Sequence, residues 1–390
     1  MLDSIGVGII VPVLPDVVRR FVTGEVAVSE TYGYFIAIYS LFMFLSSPFL
    51  GRLSDRFGRR PILLVALLGS GIDYFLMAFA PNLILLFLGR IVSGITGASF
   101  TVASAYIADI SDDSNRSKNF GVIGAGFGLG FILGPTIGGL LAGHDPKLPF
   151  IAAGIFNLAN CLFGYFVLPE SLPKSSRRPL SFKAMNPFKS LGKLVSVSDL
   201  LPFIVVFFLL SLAGQTHPSI WTIYTQFRFG WDARMVGISL TVVGLLSAIS
   251  QGGMTGILVK KFGERPILKY CILGQALSFV CYGLINEGWM MFVVLVAASV
   301  CWASQPALQS MISKQAPSNA QGELQGALMS LTSLSSIINP LVMTWLFAKT
   351  SNAENGFYLP GSPYFLGALL LFIAWIIVLG KTRRVVPTRA

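Results

Sequence analysis

Charge is what this sequence has least of. Lys, Arg, Asp and Glu make up 12% of the 390 residues, about half the roughly 25% of an ordinary soluble domain. So small a share cannot coat a water-facing surface of this size. Histidine occurs twice and cysteine four times. Cys161, Cys271, Cys281 and Cys301 all fall in apolar runs, with neither metal-ligand spacing nor a disulfide framework, and they read as buried thiols. No Walker A sequence occurs, so a nucleotide is not expected as the energy source. The start, Met1-Leu2-Asp3, carries no basic leader with a small-residue cleavage site, and no signal peptide is expected. What the chain has in plenty is apolar length: 54% hydrophobic residues, 31 Phe and 40 Gly, with a mean hydropathy of +0.73. This pattern excludes a large soluble enzyme and reads as an all-α membrane protein. The net charge of +11 therefore has to be sorted loop by loop before nucleic acid is considered as a partner.

A helix needs about 20 apolar residues to cross the hydrocarbon core. Twelve stretches qualify as candidates: 2–18, 33–51, 62–80, 83–108, 119–142, 150–168, 200–221, 236–259, 267–285, 289–309, 322–348 and 362–380. With a cytoplasmic N-terminus, 21 of the 28 Lys and Arg fall in inner loops and the tail, six fall outside, and Arg90 lies within a span. That bias predicts both termini inside. The basic charge is then a topology signal, and nucleic acid is not an expected partner.

The chain also repeats itself. Gly51-Arg-Leu-Ser-Asp-Arg-Phe-Gly-Arg-Arg-Pro-Ile-Leu63 and Gly256-Ile-Leu-Val-Lys-Lys-Phe-Gly-Glu-Arg-Pro-Ile-Leu268 agree at eight of thirteen positions, at an offset of 205. The same offset carries Gly121 onto Gly326 and Gly134-Pro135 onto Asn339-Pro340. Two parallel six-helix halves follow, 1–168 and 200–390, joined by a polar, basic, Pro-containing linker over 169–199. Such halves imply a small-molecule site near the midplane, reached from each side in turn. The architecture points to transport.

With twelve spans in two halves and the Gly51–Pro61 signature, the sequence resembles the major facilitator superfamily. Asp3-Ser-Ile-Gly-Val-Gly, Gly69-Ser-Gly-Ile-Asp-Tyr74, Leu88-Gly-Arg-Ile-Val-Ser-Gly-Ile-Thr-Gly97 and Gly134-Pro-Thr-Ile-Gly-Gly139 sharpen the match in the first half. Arg228-Phe-Gly-Trp231, Pro306-Ala-Leu-Gln309 and Leu324-Gln-Gly326 continue it in the second. Together they are similar to the bacterial tetracycline/proton antiporters. The resemblance implies a proton-coupled exporter of the bacterial inner membrane, working as a monomer without a resident cofactor or metal. Its cargo would be tetracycline, with Mg2+ carried as part of the complex.

Ionisable groups inside the membrane come first among candidate residues, because each costs about 2.5–3.5 kcal/mol near the bilayer centre. Asp73, in the middle of span 62–80, reads as a proton carrier, since low dielectric disfavours its charged form; the resembled family also carries an acid there. The alternative is a static partner for Arg90 on the next helix. Arg90 cannot easily deprotonate and would hold an inward-facing carboxylate ionised until a proton arrives. Asp3 matches the family's first-helix acid, with only two residues before it. Either the first helix is short or the native start lies upstream.

In the Gly51–Arg60 loop, Gly51 and Gly58 are expected to let the chain turn tightly. Asp55, Arg59 and Arg60 form a charge cluster beside it. Asp55 is also expected to face the helix start near Gly322, and Asp109 to pair with Arg116. The Gly-rich run 121–130 has a dinucleotide-like pattern without the strand and βαβ context that would give it meaning. Close helix packing explains it better. The resemblance ties Gly134, Pro135, Gly138 and Gly139 to antiport. Polar residues of the second half are candidates to line a cavity: His217, Gln215, Gln251, Gln275, Gln309, Gln325 and Asn339. His217, beside Pro218, is open to a titrating or a structural reading. The pattern departs from the best-known tetracycline exporters at Ser247 and Gln275, where they carry a His and an Asp. That leaves open a different amphiphile or siderophore, symport, or a transport-inactive receptor.

Overall fold

Helix forms wherever the long apolar runs lie, because in hydrocarbon every backbone amide must find its partner within its own segment. The computed structural model describes residues 2–112, 116–177, 201–315, 321–352 and 358–382, and these contain no β-strand. In the first half the helices are α1 (Leu2–Ile10), α2 (Leu14–Arg19), α3 (Glu25–Phe57), α4 (Arg59–Ala78), α5 (Leu83–Gly97), α6 (Ser99–Asp109), α7 (Arg116–Ala142) and α8 (Leu148–Val167). Then follow α9 (Leu201–Gly214), α10 (Thr216–Phe229), α11 (Ala233–Ile249), α12 (Thr255–Phe262), α13 (Glu264–Leu284), α14 (Gly288–Ser299), α15 (Ser304–Gln315), α16 (Gln321–Ser351) and α17 (Ser362–Thr382). Each of the twelve expected segments falls on helix. Nine helical runs among the described residues are long and apolar enough to cross a membrane, and two shorter apolar helices, Gly128–Ala142 and Ala233–Ile249, accompany them. The segment nearest the start is broken into α1, a 3-10 turn over Val11–Val13 and α2. Pro12 and Pro15 remove backbone donors there.

Burial is inverted relative to a water-soluble protein. Val65, Ile84, Phe166, Ile257 and Ile376 are exposed, whereas Asp73, Arg90, Asn157 and Asn339 are buried. An apolar exterior of this kind suits surrounding lipid, where a soluble monomer would expose only small patches.

The described residues gather into two compact units. One takes in 2–24, 34–177 and 231–244; in it α1 packs on α7 and α8, and α4 packs on α5, α6 and α8. The other takes in 25–33, 201–230 and 245–382. There α17 packs on α9 and α13, α16 on α9 and α10, and α13 on α15. Each unit therefore includes a short piece from the other sequence half: most of α11 in the first and the opening turns of α3 in the second. Of the expected linker, 178–199 lies outside the described residues. Its beginning is held in the first unit, where Tyr106 donates its hydroxyl to the Pro169 carbonyl at 3.1 Å.

The repeat seen in the sequence reappears in the backbone. The turn between α3 and α4 is the single residue Gly58 (φ 106°, ψ 155°), and that between α12 and α13 is Gly263 (φ 81°, ψ 163°). Only glycine occupies this region without strain. In both places the glycine N–H closes the preceding helix, onto Ser54 O at 3.0 Å and Val259 O at 2.9 Å. The expected second turn residue, Gly51, does not serve that purpose. It lies inside α3, which continues to Phe57, and a Cβ there would sit at an ordinary 3.8 Å from Thr101.

Two irregular turns interrupt the second-half helices. A π turn over Ser250–Met254 separates α11 from α12, and a 3-10 turn over Val300–Ala303 separates α14 from α15.

Candidate functional site

In the first unit, Asp73 and Met77 lie one turn apart on α4 and face Arg90 and Ser93 of α5. Gly89 permits this approach: a Cβ there would lie 2.7 Å from Met77 Cγ and 3.0 Å from Asp73 Oδ1. Asp73 and Arg90 are only 2% and 5% exposed. They are linked through Ser93. The Ser93 hydroxyl donates to Asp73 Oδ2 and accepts from Arg90 Nη2 at 3.2 Å, while the same Nη2 reaches Met77 Sδ at 3.2 Å. The guanidinium also lies over Phe35 and Tyr39 of α3, at 5.1 and 5.5 Å from their ring centroids. These faces attract the cation where water is excluded. Asp73 Oδ1 and Arg90 Nε have no hydrogen-bond partner among the described residues. The carboxylate thus keeps one oxygen uncommitted in a buried site, and that oxygen is where a proton can be taken up. The side chain of Asp3 lies outside the described residues.

At the α3–α4 junction, Arg59 is the centre of a charge cluster. Its guanidinium meets Asp55 at 2.6 Å, Asp109 at 3.0 Å and the Ser54 hydroxyl at 2.6 Å. Arg52 lies 3.8 Å from Asp55. Arg60 donates to Tyr165 O at 2.5 Å and covers the same residue's ring. Arg116 begins α7, and its side chain lies outside the described residues. Asp109 also accepts from Ser171 Oγ at 3.0 Å.

Glu170, not singled out from sequence, completes the cluster by accepting the Arg59 backbone N–H at 2.8 Å. It caps the start of α4, and a Cβ on Gly58 would run into its carboxylate. Nothing local signalled this, because the cap comes from 111 residues away. Glu170→Ala is expected to lower stability by about 1 kcal/mol, a typical cost of a lost helix cap. Glu170→Gln, which keeps an acceptor, should retain most of it. Thermal unfolding of the detergent-solubilised variants checks this, and an unchanged midpoint for Glu170→Ala would remove the cap from the account.

The second unit repeats the Arg59–Asp109 pair with the signs exchanged. At an offset of 205 from both residues, Glu264 binds Lys314 at 2.6 Å, with Ser310 donating to the same carboxylate at 2.6 Å.

The small residues of α7 serve two faces. At spacings of four, Gly130, Gly134 and Gly138 bring its backbone against Ser4–Ile5, Gly8 and Ile9 of α1. Pro135 and Gly139 face Gly237 and Ala233 of α11. Thr241, also missed from sequence, shares a hydrogen bond with Thr136 and donates to Ile132 O at 3.2 Å.

The second-half candidates do not converge on one site. Gln309 donates to Gln325 at 2.8 Å, and Gln251 is exposed on the π turn. Asn339 is 1% exposed, accepts from Ser219 Oγ at 2.7 Å and donates to Leu212 O at 2.7 Å and Thr216 Oγ1 at 3.3 Å. The structure places it as a tie between α16, α9 and α10 rather than on a cavity wall. The His217 ring stands among Trp221, Phe279, Tyr282 and Tyr364, with centroids 4.9–5.6 Å away. Gln275 gives its amide to Cys301 O at 2.8 Å. Among the described residues no group of three or more His, Cys, Asp or Glu could hold a metal ion.

A buried acid and arginine inside an apolar helical protein, a repeated glycine-hinged loop and two units define a membrane transporter architecture. The Major Facilitator Superfamily family model matches residues 1–340 and again 229–389. The chain is 42% identical to the class C tetracycline resistance protein of Escherichia coli, over 91% of this chain and 89% of that one. It is 40% identical to the class G tetracycline resistance protein of Vibrio anguillarum, over 95% and 93%. Among solved structures it matches a bacterial homologue of the human lysosomal transporter Spinster with a TM-score of 0.79 at 16% identity, covering 98% of this chain and 94% of that one. That likeness is one of fold. The chain belongs to the major facilitator superfamily, and within it to the family of the tetracycline resistance proteins.

Proposed function

We propose that this protein is a proton-coupled exporter of the bacterial inner membrane, with twelve crossings and both termini in the cytoplasm. It carries tetracycline as a magnesium complex by alternating access, as a monomer and without a resident cofactor. The observation that carries the reading is the Asp73–Ser93–Arg90 chain. A buried carboxylate is held next to a fixed positive charge, with one oxygen uncommitted. Ionised, it attracts a cationic complex; protonated, it releases it. The relationship to the tetracycline resistance proteins supports the cargo.

If one proton exchanges for one net positive charge, no net charge crosses. The membrane potential, worth about 2.3 kcal/mol per charge per 100 mV, then contributes nothing. In inverted vesicles containing this protein, tetracycline with Mg2+ is expected to drive proton movement. Collapsing the pH gradient should abolish uptake, and collapsing the potential alone should leave it intact. No signal from correctly inserted protein would turn the search to another amphiphile, and a signal that follows the potential would overturn the one-for-one exchange.

A further inference from the structure

The 3-10 turn over Val300–Ala303 bonds its carbonyls three residues on, with the Ser304 N–H closing onto Cys301 O, and three successive carbonyls there also accept from side chains of neighbouring elements. Ser250 Oγ donates to Ser299 O at 2.9 Å. Cys271 Sγ lies 3.9 Å from Val300 O, and Gln275 Nε2 donates to Cys301 O at 2.8 Å. These donors hold α13 and the π turn closely against the broken helix. One result is that two thiols from distant parts of the chain meet. A Cβ at Gly274 would lie 2.5 Å from Cys301 Sγ, which places that sulfur against the α13 backbone. Cys271 lies one turn earlier on the same helix. Cys271 packs in an apolar cluster with Ile267, Ala303 and Ala307, against Cys301, Leu258 and Val259. Cys281 stands ten residues further along α13, a rise of about 15 Å, too far to join them. Cys161 is in the other unit, beside Leu64 O.

We infer that Cys271 and Cys301 form a dithiol site that chelates trivalent organoarsenicals. Two soft sulfur ligands at adjoining positions suit a soft, thiophilic centre, and the apolar surroundings admit a neutral, membrane-soluble carrier of it. The step is balanced without a redox partner. An arsenoxide, R–As=O, loses its oxygen as water, which carries both thiol protons, and two S–As bonds replace the two S–H bonds. The bound arsenic ties α13 to the irregular turn.

Phenylarsine oxide is the probe, applied to the purified full-length protein in detergent. The expected result is one phenylarsenic group per chain by intact mass. After unfolding, two of the four cysteines should remain closed to maleimide, and 2,3-dimercaptopropanol should reopen them. Cys271→Ser and Cys301→Ser should each weaken binding by about 100-fold, since a single thiol loses the advantage of intramolecular closure. Serine keeps the size and the hydrogen-bonding group, so both variants should fold. Cys161→Ser and Cys281→Ser should bind as the parent does. Four reactive thiols in the treated parent would overturn the site, as would undiminished binding by either the Cys271 or the Cys301 variant. None of these readouts depends on what the protein carries.

Discussion

Asp73→Asn is expected to abolish proton-driven transport in inverted vesicles, down to the level of vesicles lacking the protein, while the variant still inserts in the membrane. Asparagine has nearly the shape of aspartate and offers Ser93 the same acceptor, so packing between α4 and α5 survives. What it cannot do is take up or release a proton, and it leaves Arg90 in low dielectric without the acid it is linked to through Ser93. A graded comparison separates coupling from packing. Ser93→Ala removes both hydrogen bonds that link Asp73 to Arg90, of which the one to the carboxylate alone is worth about 1.5–3 kcal/mol, and should slow transport by at least roughly tenfold to a hundredfold without abolishing it. Proton movement, normalised to the amount of protein in the membrane, measures both. Full activity in Asp73→Asn would remove this acid from the coupling mechanism.

Gly134→Ala is expected to lower the thermal unfolding midpoint clearly, and Gly138→Ala more so. A Cβ on Gly134 would lie 2.8 Å from both Ile5 O and Gly8 Cα, and one on Gly138 would run into the Ile9 carbonyl. These are backbone atoms on an adjoining helix, which cannot turn aside as a flexible side chain can. The helices α1 and α7 must separate, at a cost of about 1–3 kcal/mol for overpacking of this kind. Gly128 supplies the control. It lies on the same helix with nothing within 4 Å of where a Cβ would stand, so Gly128→Ala should be neutral or stabilise by up to about 1 kcal/mol through helix propensity. Equal midpoints for all three variants would contradict the close approach of α1 and α7.

Much of the architecture was legible because membrane insertion reads local composition. Twelve apolar stretches were expected and each lies on helix, since a run of apolar residues in hydrocarbon has few backbone options. The offset of 205 was legible for a similar reason. It identified Gly58 and Gly263 in advance as matching loop positions, and both adopt the same glycine-only conformation. The lengths of those loops were not legible. Arg, Lys and Asp after Gly51 and Gly256 look like loop, but helical hydrogen bonding continues through them until a glycine ends it.

The residues around Asp73 show where reading along the chain stops. Asp73 and Arg90 stand out because charge inside an apolar run is costly wherever it occurs. Ser93 does not, since serine in a helix has many uses and only the facing of α4 and α5 makes it the link between them. Gln275 and Asn339 looked alike as polar residues of the second half. Their partners, Cys301 O for one and Ser219, Leu212 and Thr216 for the other, depend on which helices adjoin them. By itself, then, the sequence determined what can be summed over neighbouring residues: the helices, their repeat, the charges they carry into the membrane and the family to which they belong. Tertiary structure alone decided the pairings across 20 to more than 100 residues, Asp73 with Ser93, Arg59 with Glu170, Thr136 with Thr241 and Cys301 with the apolar cluster that holds Cys271. A hydrogen bond or thiol contact is short and directional, and no local pattern specifies which distant helix face will meet it.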